Sequence, residues 1–182
     1  VPENYWKDNG GEVLLLGAGG ASLAMSVYLT QKKFGDNVPK KITIANRSLP
    51  RLQEAKRILE NLNEKTKFEF VLNPVPEEND KTLSQLPPHS LVVNATGLGK
   101  DGPGSPITNA AQFPQDSLVW EINYRGDLVF KDQANAQKEA KNLHVEDGWI
   151  YFIHGWTQVV SEVFHTPIVG ETLDRMSEIA KG

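Results

Sequence analysis

Three residues in one short run carry the first chemical signal. Gly17, Gly19 and Ser22 stand at the spacing G-x-G-x-x-small inside EVLLLGAGGASLA, residues 12–24. A continuous apolar run closed by glycine reads as a buried strand. Gly17 permits a tight turn, Gly19 lets the backbone approach a pyrophosphate, and Ser22 lets a helix pack closely on a sheet. A helix starting there offers unpaired N–H groups and the positive end of its dipole to an anion. The other reading of the same turn is a purely structural strand–helix junction.

The next signal lies at the end of the second strand pattern, in IANRSLPR (44–51). A domain that binds NAD places an Asp or Glu there for the ribose hydroxyls. No acid occurs between Ile42 and Leu52. Arg47 stands at the strand end and Arg51 four residues on, from the following helix. A guanidinium pairs with a 2′-phosphate through two charge-assisted hydrogen bonds. Ser48 adds a hydroxyl or caps the helix. The pattern predicts NADP rather than NAD; its alternative is two solvated surface charges.

Alternating strands and helices must position these groups. EVLLLG is the first strand, and Leu23, Ala24, Val27 and Tyr28 predict a helix from Gly20 to Phe34. KITIAN is the second strand. A helix capped at Ser48 follows, with Pro50 in its first turn and an apolar face of Leu52, Ala55, Ile58, Leu59 and Leu62. FEFVL (68–72), SLVVNAT (90–96), SLVWEINY (117–124) and LHVED (143–147) are four more strands. Residues 73–89 hold four prolines and read as a loop with one short helix at TLSQL, and 97–106 is a glycine-rich loop. LVFKDQANAQKEAK predicts one helix. WIYFIHGWTQVVSEVF predicts another, with apolar residues at 149, 152, 153, 156, 159, 160 and 163, and a last helix ends in TLDRMSEIAKG. The fold class expected is α/β: a Rossmann-type, doubly wound, mainly parallel six-stranded sheet with helices on both faces.

Bulk properties narrow the function. The 182 residues, 39% hydrophobic and 23% charged, suit one globular domain over 1–182. A net charge of -4 and a pI near 5.6 argue against a broad nucleic-acid surface. The absence of cysteine excludes disulfides, thiolate metal sites and a thiol nucleophile. The polar start VPENYWKDNGG is unlike a signal peptide, and no apolar stretch is long enough to cross a membrane, so a cytoplasmic location is expected. His89, His144, His154 and His165 lack metal-ligand spacing, and no HExxH, Walker A or G-x-S-x-G pattern occurs. No metal site is expected. The chain begins with Val rather than Met, as an excised fragment would.

Taken in order, five segments resemble the shikimate/quinate dehydrogenase family. GAGGAS (17–22) resembles its glycine turn, and ANRS with Arg51 its NADP-selecting stretch. VVNATGLGK (92–100) is similar to its Asn-Ala-Thr-x-x-Gly segment, EINY (121–124) to the acid–apolar–x–Tyr after its fifth strand, and EDGWIYFIH (146–154) to the Asp-Gly that opens its late helix. The resemblance spans nearly the whole chain and implies the family's C-terminal NADP-binding domain. It implies that Gly17, Ala18, Gly19, Gly20 and Ala21 form the pyrophosphate turn. Asn46, Arg47, Ser48 and Arg51 would surround the adenosine 2′-phosphate. Asn94, Ala95, Thr96 and Gly99 would lie along the cofactor, and Tyr124 and Gly148 would approach the nicotinamide and substrate side. The bland alternative is a satisfied strand-end turn for Asn94 and Thr96, and a core or rim aromatic for Tyr124. The implied reaction is reversible NADPH-dependent reduction of 3-dehydroshikimate, or of a related polyol acid.

The sequence also departs from the family. Members carry a substrate domain before the dinucleotide domain, and it supplies a catalytic Lys and Asp; no Asn-x-Thr-x-Pro-x-Lys pattern occurs in this sequence. The chain is therefore expected to be the cofactor half of a longer enzyme, inactive alone. Its helices at 149–180 would dock on the missing domain, through which the small-molecule substrate is met. The family's substrate-touching glutamine falls at Gly155, with Gln158 nearly one turn on as the substitute candidate. His154, Gln158, Ser161 and His165 otherwise form a solvated polar stripe. YRGDLVF is one residue shorter than the family's stretch and lacks its threonine. Lys100 stands where the family often has methionine, and is read as reaching water. Competing readings are another NADP enzyme of related fold, of methylene-tetrahydrofolate dehydrogenase or glutamyl-tRNA reductase type, and a non-catalytic NADP-binding module. The resemblance leaves room for a homodimer.

Overall fold

The computed structural model describes residues 3–181; residues 1, 2 and 182 of the expected domain lie outside the described residues. Its six strands are β1 (Val13–Leu16), β2 (Lys41–Asn46), β3 (Lys67–Leu72), β4 (Leu91–Asn94), β5 (Leu118–Glu121) and β6 (His144–Glu146). They form one sheet in the order β3-β2-β1-β4-β5-β6. Every pairing is parallel, so the sheet is wholly and not mainly parallel. The chain winds outward from β1 to β3, then returns to β4 on the other side of β1. That reversal opens a crevice at the carboxyl ends of β1 and β4, where open α/β sheets bind ligands.

All four residues of β1 and of β4 are buried, as their unbroken apolar runs require. Side chains alternate across the sheet and feed two cores. Val13, Leu15, Ile42, Ile44 and Val93 face one side, with Leu52, Ala55 and Leu59. Leu14, Leu16, Val92 and Val119 face the other, with Leu83, Phe113 and Phe130. Phe113 and Phe130 meet edge to face, 5.7 Å between ring centroids.

The helices are α1 (Tyr5–Asn9), α2 (Gly20–Leu29), α3 (Leu49–Leu59), α4 (Pro76–Ser84), α5 (Val129–Asn135), α6 (Lys138–Lys141), α7 (Trp149–Phe164) and α8 (Glu171–Lys181). Several differ from the sequence reading. The polar-looking N-terminus forms α1, whose Tyr5 and Trp6 are buried in the first core. The second helix stops at Leu29, and residues 32–34 form a separate 3-10 turn. Its inward face matches the predicted one only at Leu23, which packs on the first core. Ser22, Ser26 and Leu29 are buried, whereas Tyr28 is 55% exposed and packs on Phe34. A helix lying close on a sheet takes small residues at the contact, whatever the hydropathy of the opposite face. In α3, Ile58 stays exposed while Leu52, Ala55 and Leu59 bury; Leu62, predicted on the same face, lies beyond the end of the helix and is exposed. Helix α4 begins at Pro76, ahead of the predicted TLSQL. The predicted helix at 128–141 divides into α5 and α6. In α7, of the seven predicted apolar positions only Ile153 is buried, together with Thr157; Trp156 is 58% exposed.

Candidate nucleotide-binding site

The glycine turn sits at the carboxyl end of β1. Gly17 has φ +112°, a left-handed conformation that glycine adopts freely. A Cβ there would fall 2.6 Å from the Ala95 carbonyl oxygen, so glycine also lets β1 and β4 leave the sheet side by side. The Gly17 N–H donates to the Ala45 carbonyl at 2.8 Å. The Ser22 hydroxyl donates to the Gly17 carbonyl at 2.6 Å, tying the start of α2 to the turn. Gly19 is the N-cap of α2, with no side-chain cap and no acidic residue in the first turn. A Cβ on Gly19 or Gly20 would meet nothing within 4 Å. The turn therefore leaves open space in front of a helix N-terminus whose first N–H groups lack side-chain partners.

One cleft of about 570 Å³ joins this turn to the end of β2. Gly17, Ala18, Gly19, Asn46, Arg47, Ser48, Arg51, Ala95 and Thr96 all line it. Neither Arg47 nor Arg51 has an acidic partner among the described residues. Ser48 holds the N-cap position of α3, but its hydroxyl makes no cap bond and remains available to the cleft. Asn46 Nδ2 is buried without a hydrogen-bond partner. A buried donor left unpaired is costly, so this amide has a proton to offer at the cleft. Gly20 and Ala21 continue from the turn into α2. The far wall was not read from sequence. Val75, Pro76 and Asn79 at the start of α4 line it, with Asn73, Leu98, Asp101 and Pro106. The signal for α4 was the Pro at its first turn, which the four-proline segment obscured. A smaller hollow of about 340 Å³ lies under the β3 edge, where Lys41 is already paired with Glu12 at 2.8 Å and Glu69 at 3.7 Å.

Asn94, Gly99 and Gly148, expected along the cofactor, do not line this cleft and pack into the strand ends. Asn94 is fully buried and hydrogen-bonds Glu121 and Thr96. Gly99 is buried, and its carbonyl accepts the Leu128 N–H, so it packs on the turn after β5. Gly148 is buried too; a Cβ there would fall 1.9 Å from the Ile122 carbonyl oxygen. All three support the strand ends, because the parallel strands end so close together that their first loop residues pack on one another.

Glu121 is the centre of that support. Burial pushes its carboxyl up to about pKa 7, against the lowering effect of hydrogen bonds from Asn123 and Asn94. After β5, Tyr124 stacks on Phe152 of α7 with centroids 3.8 Å apart, and Lys100 lies 5.7 Å over its ring. Lys100 also pairs with Asp101 at 3.4 Å, so it reaches protein and not simply water. Gln158 is exposed on α7 and bonds Glu162 at 2.8 Å. It shares no surface with the cleft. His154, Gln158 and His165 all lie exposed. No helix among the described residues is long and apolar enough to cross a membrane.

No family model matches the chain. Curated relatives do. A protein named shikimate dehydrogenase (NADP(+)) from Nitrobacter winogradskyi is 28% identical over 147 residues, 81% of this chain and 46% of that protein. Its namesake in Methanopyrus kandleri is 31% identical over 126 residues, 67% of this chain and 39% of that protein. The chain belongs to the shikimate dehydrogenase family. It spans less than half the length of these curated relatives. The solved structure of shikimate dehydrogenase 1 from Peptoclostridium difficile superposes over 100% of this chain and 61% of its own, with TM-score 0.63 and 19% identity. A chorismate mutase/shikimate 5-dehydrogenase fusion protein from Clostridium acetobutylicum gives TM-score 0.60 at 15% identity, over 99% of this chain and 61% of its own. At these identities the superpositions speak for the family's fold alone.

Proposed function

We propose that this chain is the NADP-binding domain of a shikimate-dehydrogenase-like oxidoreductase. The observation that carries the reading is the single cleft in which the glycine turn, the uncapped start of α2 and two unpaired guanidiniums face one another. The first N–H groups of α2, with Gly19 and Gly20, bind the pyrophosphate. Arg47 and Arg51 hold the 2′-phosphate, Ser48 adds a hydroxyl, and Asn46 Nδ2 supplies the donor it now leaves unpaired. Ala95 and Thr96 line the path toward the nicotinamide. When bound, the nicotinamide donates or accepts a hydride at its ring. The chain's own residues bind and orient it, and Tyr124, stacked on Phe152, stands on the substrate side.

The substrate is a small ring ketone of the 3-dehydroshikimate type, and the proton-transfer groups belong to the part of the relatives' length that this chain does not span. Helices α7 and α8 support that division. Trp156, Val159, Val163 and Phe164 are all more than half exposed, as are Val169 and Ile179, a set of large apolar side chains in the last third of the domain that finds no cover within it. A preceding substrate domain covers them. NADP names in the relatives, and the absence of any carboxylate at the end of β2, favour this reading over an NAD enzyme.

Calorimetric titration of the purified chain with NADPH and with NADH tests the assignment. NADPH binds and NADH binds far more weakly. Arg47→Glu removes most of that preference, because losing a charge-assisted bidentate contact costs about 1.5–3 kcal/mol, or more than tenfold, for the 2′-phosphorylated nucleotide alone. Equal losses for both nucleotides would sink the assignment. The chain alone shows no turnover of 3-dehydroshikimate; efficient reduction by it would overturn the division of labour.

A further inference from the structure

The ends of β4 and β5 are joined by hydrogen bonds that the nucleotide reading does not use. Glu121 Oε2 accepts from Asn94 Nδ2 at 2.6 Å, and Oε1 accepts the Asn123 backbone N–H at 2.9 Å. The orientation of Asn94 is fixed, since its Oδ1 accepts both the N–H (3.0 Å) and the hydroxyl (2.6 Å) of Thr96. Thr96 Oγ1 in turn accepts the Leu98 N–H at 3.2 Å. Asn123 Nδ2 closes the set by donating to the carbonyls of Thr96 (3.2 Å) and Leu98 (3.1 Å). Thr96, Gly97 and Leu98 line the cleft, whereas Glu121, Asn94 and Asn123 do not.

We propose that Glu121 is a positioning residue, whose ionised carboxylate staples segment 96–98 to the end of β5 and so sets the wall that the nucleotide meets. What that wall receives rests on the cofactor reading above. The polarity of the network decides the charge state. The backbone N–H groups of Thr96 and Asn123 can only donate. They force Asn94 to present its amide N–H to Glu121, which must therefore offer an acceptor on each oxygen. A glutamine offers one acceptor and one donor, and the donor then faces Asn94 Nδ2; a protonated carboxyl keeps both oxygens but accepts more weakly at the one that carries the proton. The other charged group that acts on Glu121 is Asp147, just before α7, itself paired with Lys131 of α5 at 2.7 Å. It opposes ionisation in the same sense as burial, so the staple changes state near pH 7.

Two measurements on the full chain test this. The first is amide hydrogen exchange at Thr96, Leu98 and Asn123 without nucleotide, corrected for intrinsic rate, on either side of pH 7. The second is the NADPH dissociation constant by calorimetry at the same pH values. In wild type, the amides exchange faster and NADPH binds more weakly as the pH falls through 7. Glu121→Gln folds with an unfolding midpoint no lower than that of wild type at the higher pH, yet exchanges these amides about tenfold faster there and loses the pH dependence, as expected for one unmade buried hydrogen bond. Asn94→Asp combined with Glu121→Gln restores protection and affinity. The new glutamine donates to the new aspartate and accepts from Asn123, while the aspartate still accepts from Thr96; only the long Asn94 Nδ2 contact to the Leu98 carbonyl, 3.4 Å, is lost, and that carbonyl keeps Asn123 Nδ2 as its donor. A general structural defect would not be repaired by this exchange of polarity. Unchanged exchange in Glu121→Gln, or a double variant no better than the single one, overturns the staple. If Glu121→Gln fails to fold, the wild-type pH series and the double variant decide alone. If the exchange pattern holds but wild type binds no NADPH, the cofactor reading fails and the positioning role fails with it; if NADPH binds and exchange is indifferent to Glu121, only the staple fails.

Discussion

Gly17, Gly19 and Gly148 share a residue type and differ in what the missing side chain makes room for. At Gly148 the space belongs to the Ile122 carbonyl, which a Cβ would approach to 1.9 Å. Both groups are backbone, so neither can turn aside. Gly148→Ala shifts the start of α7 from β5 and destabilises by about 2 kcal/mol or more, read by urea unfolding. At Gly19 a Cβ meets nothing, and the φ of -95° suits any residue. Gly19→Ala therefore keeps the midpoint of unfolding and weakens NADPH binding, because its methyl enters the space a pyrophosphate would take. A Gly19→Ala variant that binds NADPH normally would remove the turn from the site. Gly19 was assigned to backbone approach from spacing alone. The demand on Gly148 was not legible, since a residue 26 positions away in sequence makes it.

Helix α7 shows how far periodicity carries at the scale of an element. Its extent, Trp149–Phe164, follows the predicted segment residue for residue, because sixteen residues with few breakers and a 3.6-residue apolar period have one regular solution. Its apolar face does not find a core. Phe164 is 69% exposed, and the helix packs on the domain through Ile153, Thr157 and the Tyr124–Phe152 stack. Periodicity reports that a face needs cover; it does not report what supplies it. Helix α2 is the converse case, with small polar residues inward and Tyr28 outward. Gly155 interrupts α7 on its exposed side, where a Cβ would meet nothing. Gly155→Ala therefore stabilises the chain by about 0.5–1 kcal/mol, seen as a higher unfolding midpoint. No gain would mean that α7 is already frayed at that point.

Burial of Glu121 links the site to the stability of the whole molecule. Its carboxyl is raised from 4.5 to about 7 in the folded chain, so between those values the folded state binds more protons than the unfolded state. Stability from this group is therefore present at low pH and is lost as pH rises from about 4.5 to about 7, by roughly 3 kcal/mol in all. Glu121→Gln removes the dependence. The difference in unfolding free energy between variant and wild type grows across that window and levels off above it, while loop protection moves the other way. Equal pH profiles for the two proteins would show that the carboxyl titrates normally. The same burial explains why Glu121 was seen in sequence only as part of an acid–apolar–x–Tyr pattern: EINY does not say that its acid will have no access to water.

The local elements and the form of the glycine turn were legible in the sequence. Unbroken apolar runs make central parallel strands, and Gly17 and Gly19 with Ser22 make a strand–helix turn, because these depend on neighbours within a few residues. The pair Arg47 and Arg51 was legible for the same reason, with no acid nearby to mask it. Only the tertiary structure decided which of the crevice residues face the cleft. Asn94, Gly99 and Gly148 adjoin it in sequence but are held by Glu121, Leu128 and Ile122, while α4 and Pro106, far from the motifs, close its wall. Parallel strands bring segments distant in the chain to one edge, and there each polar group takes the nearest partner, which sequence spacing does not specify.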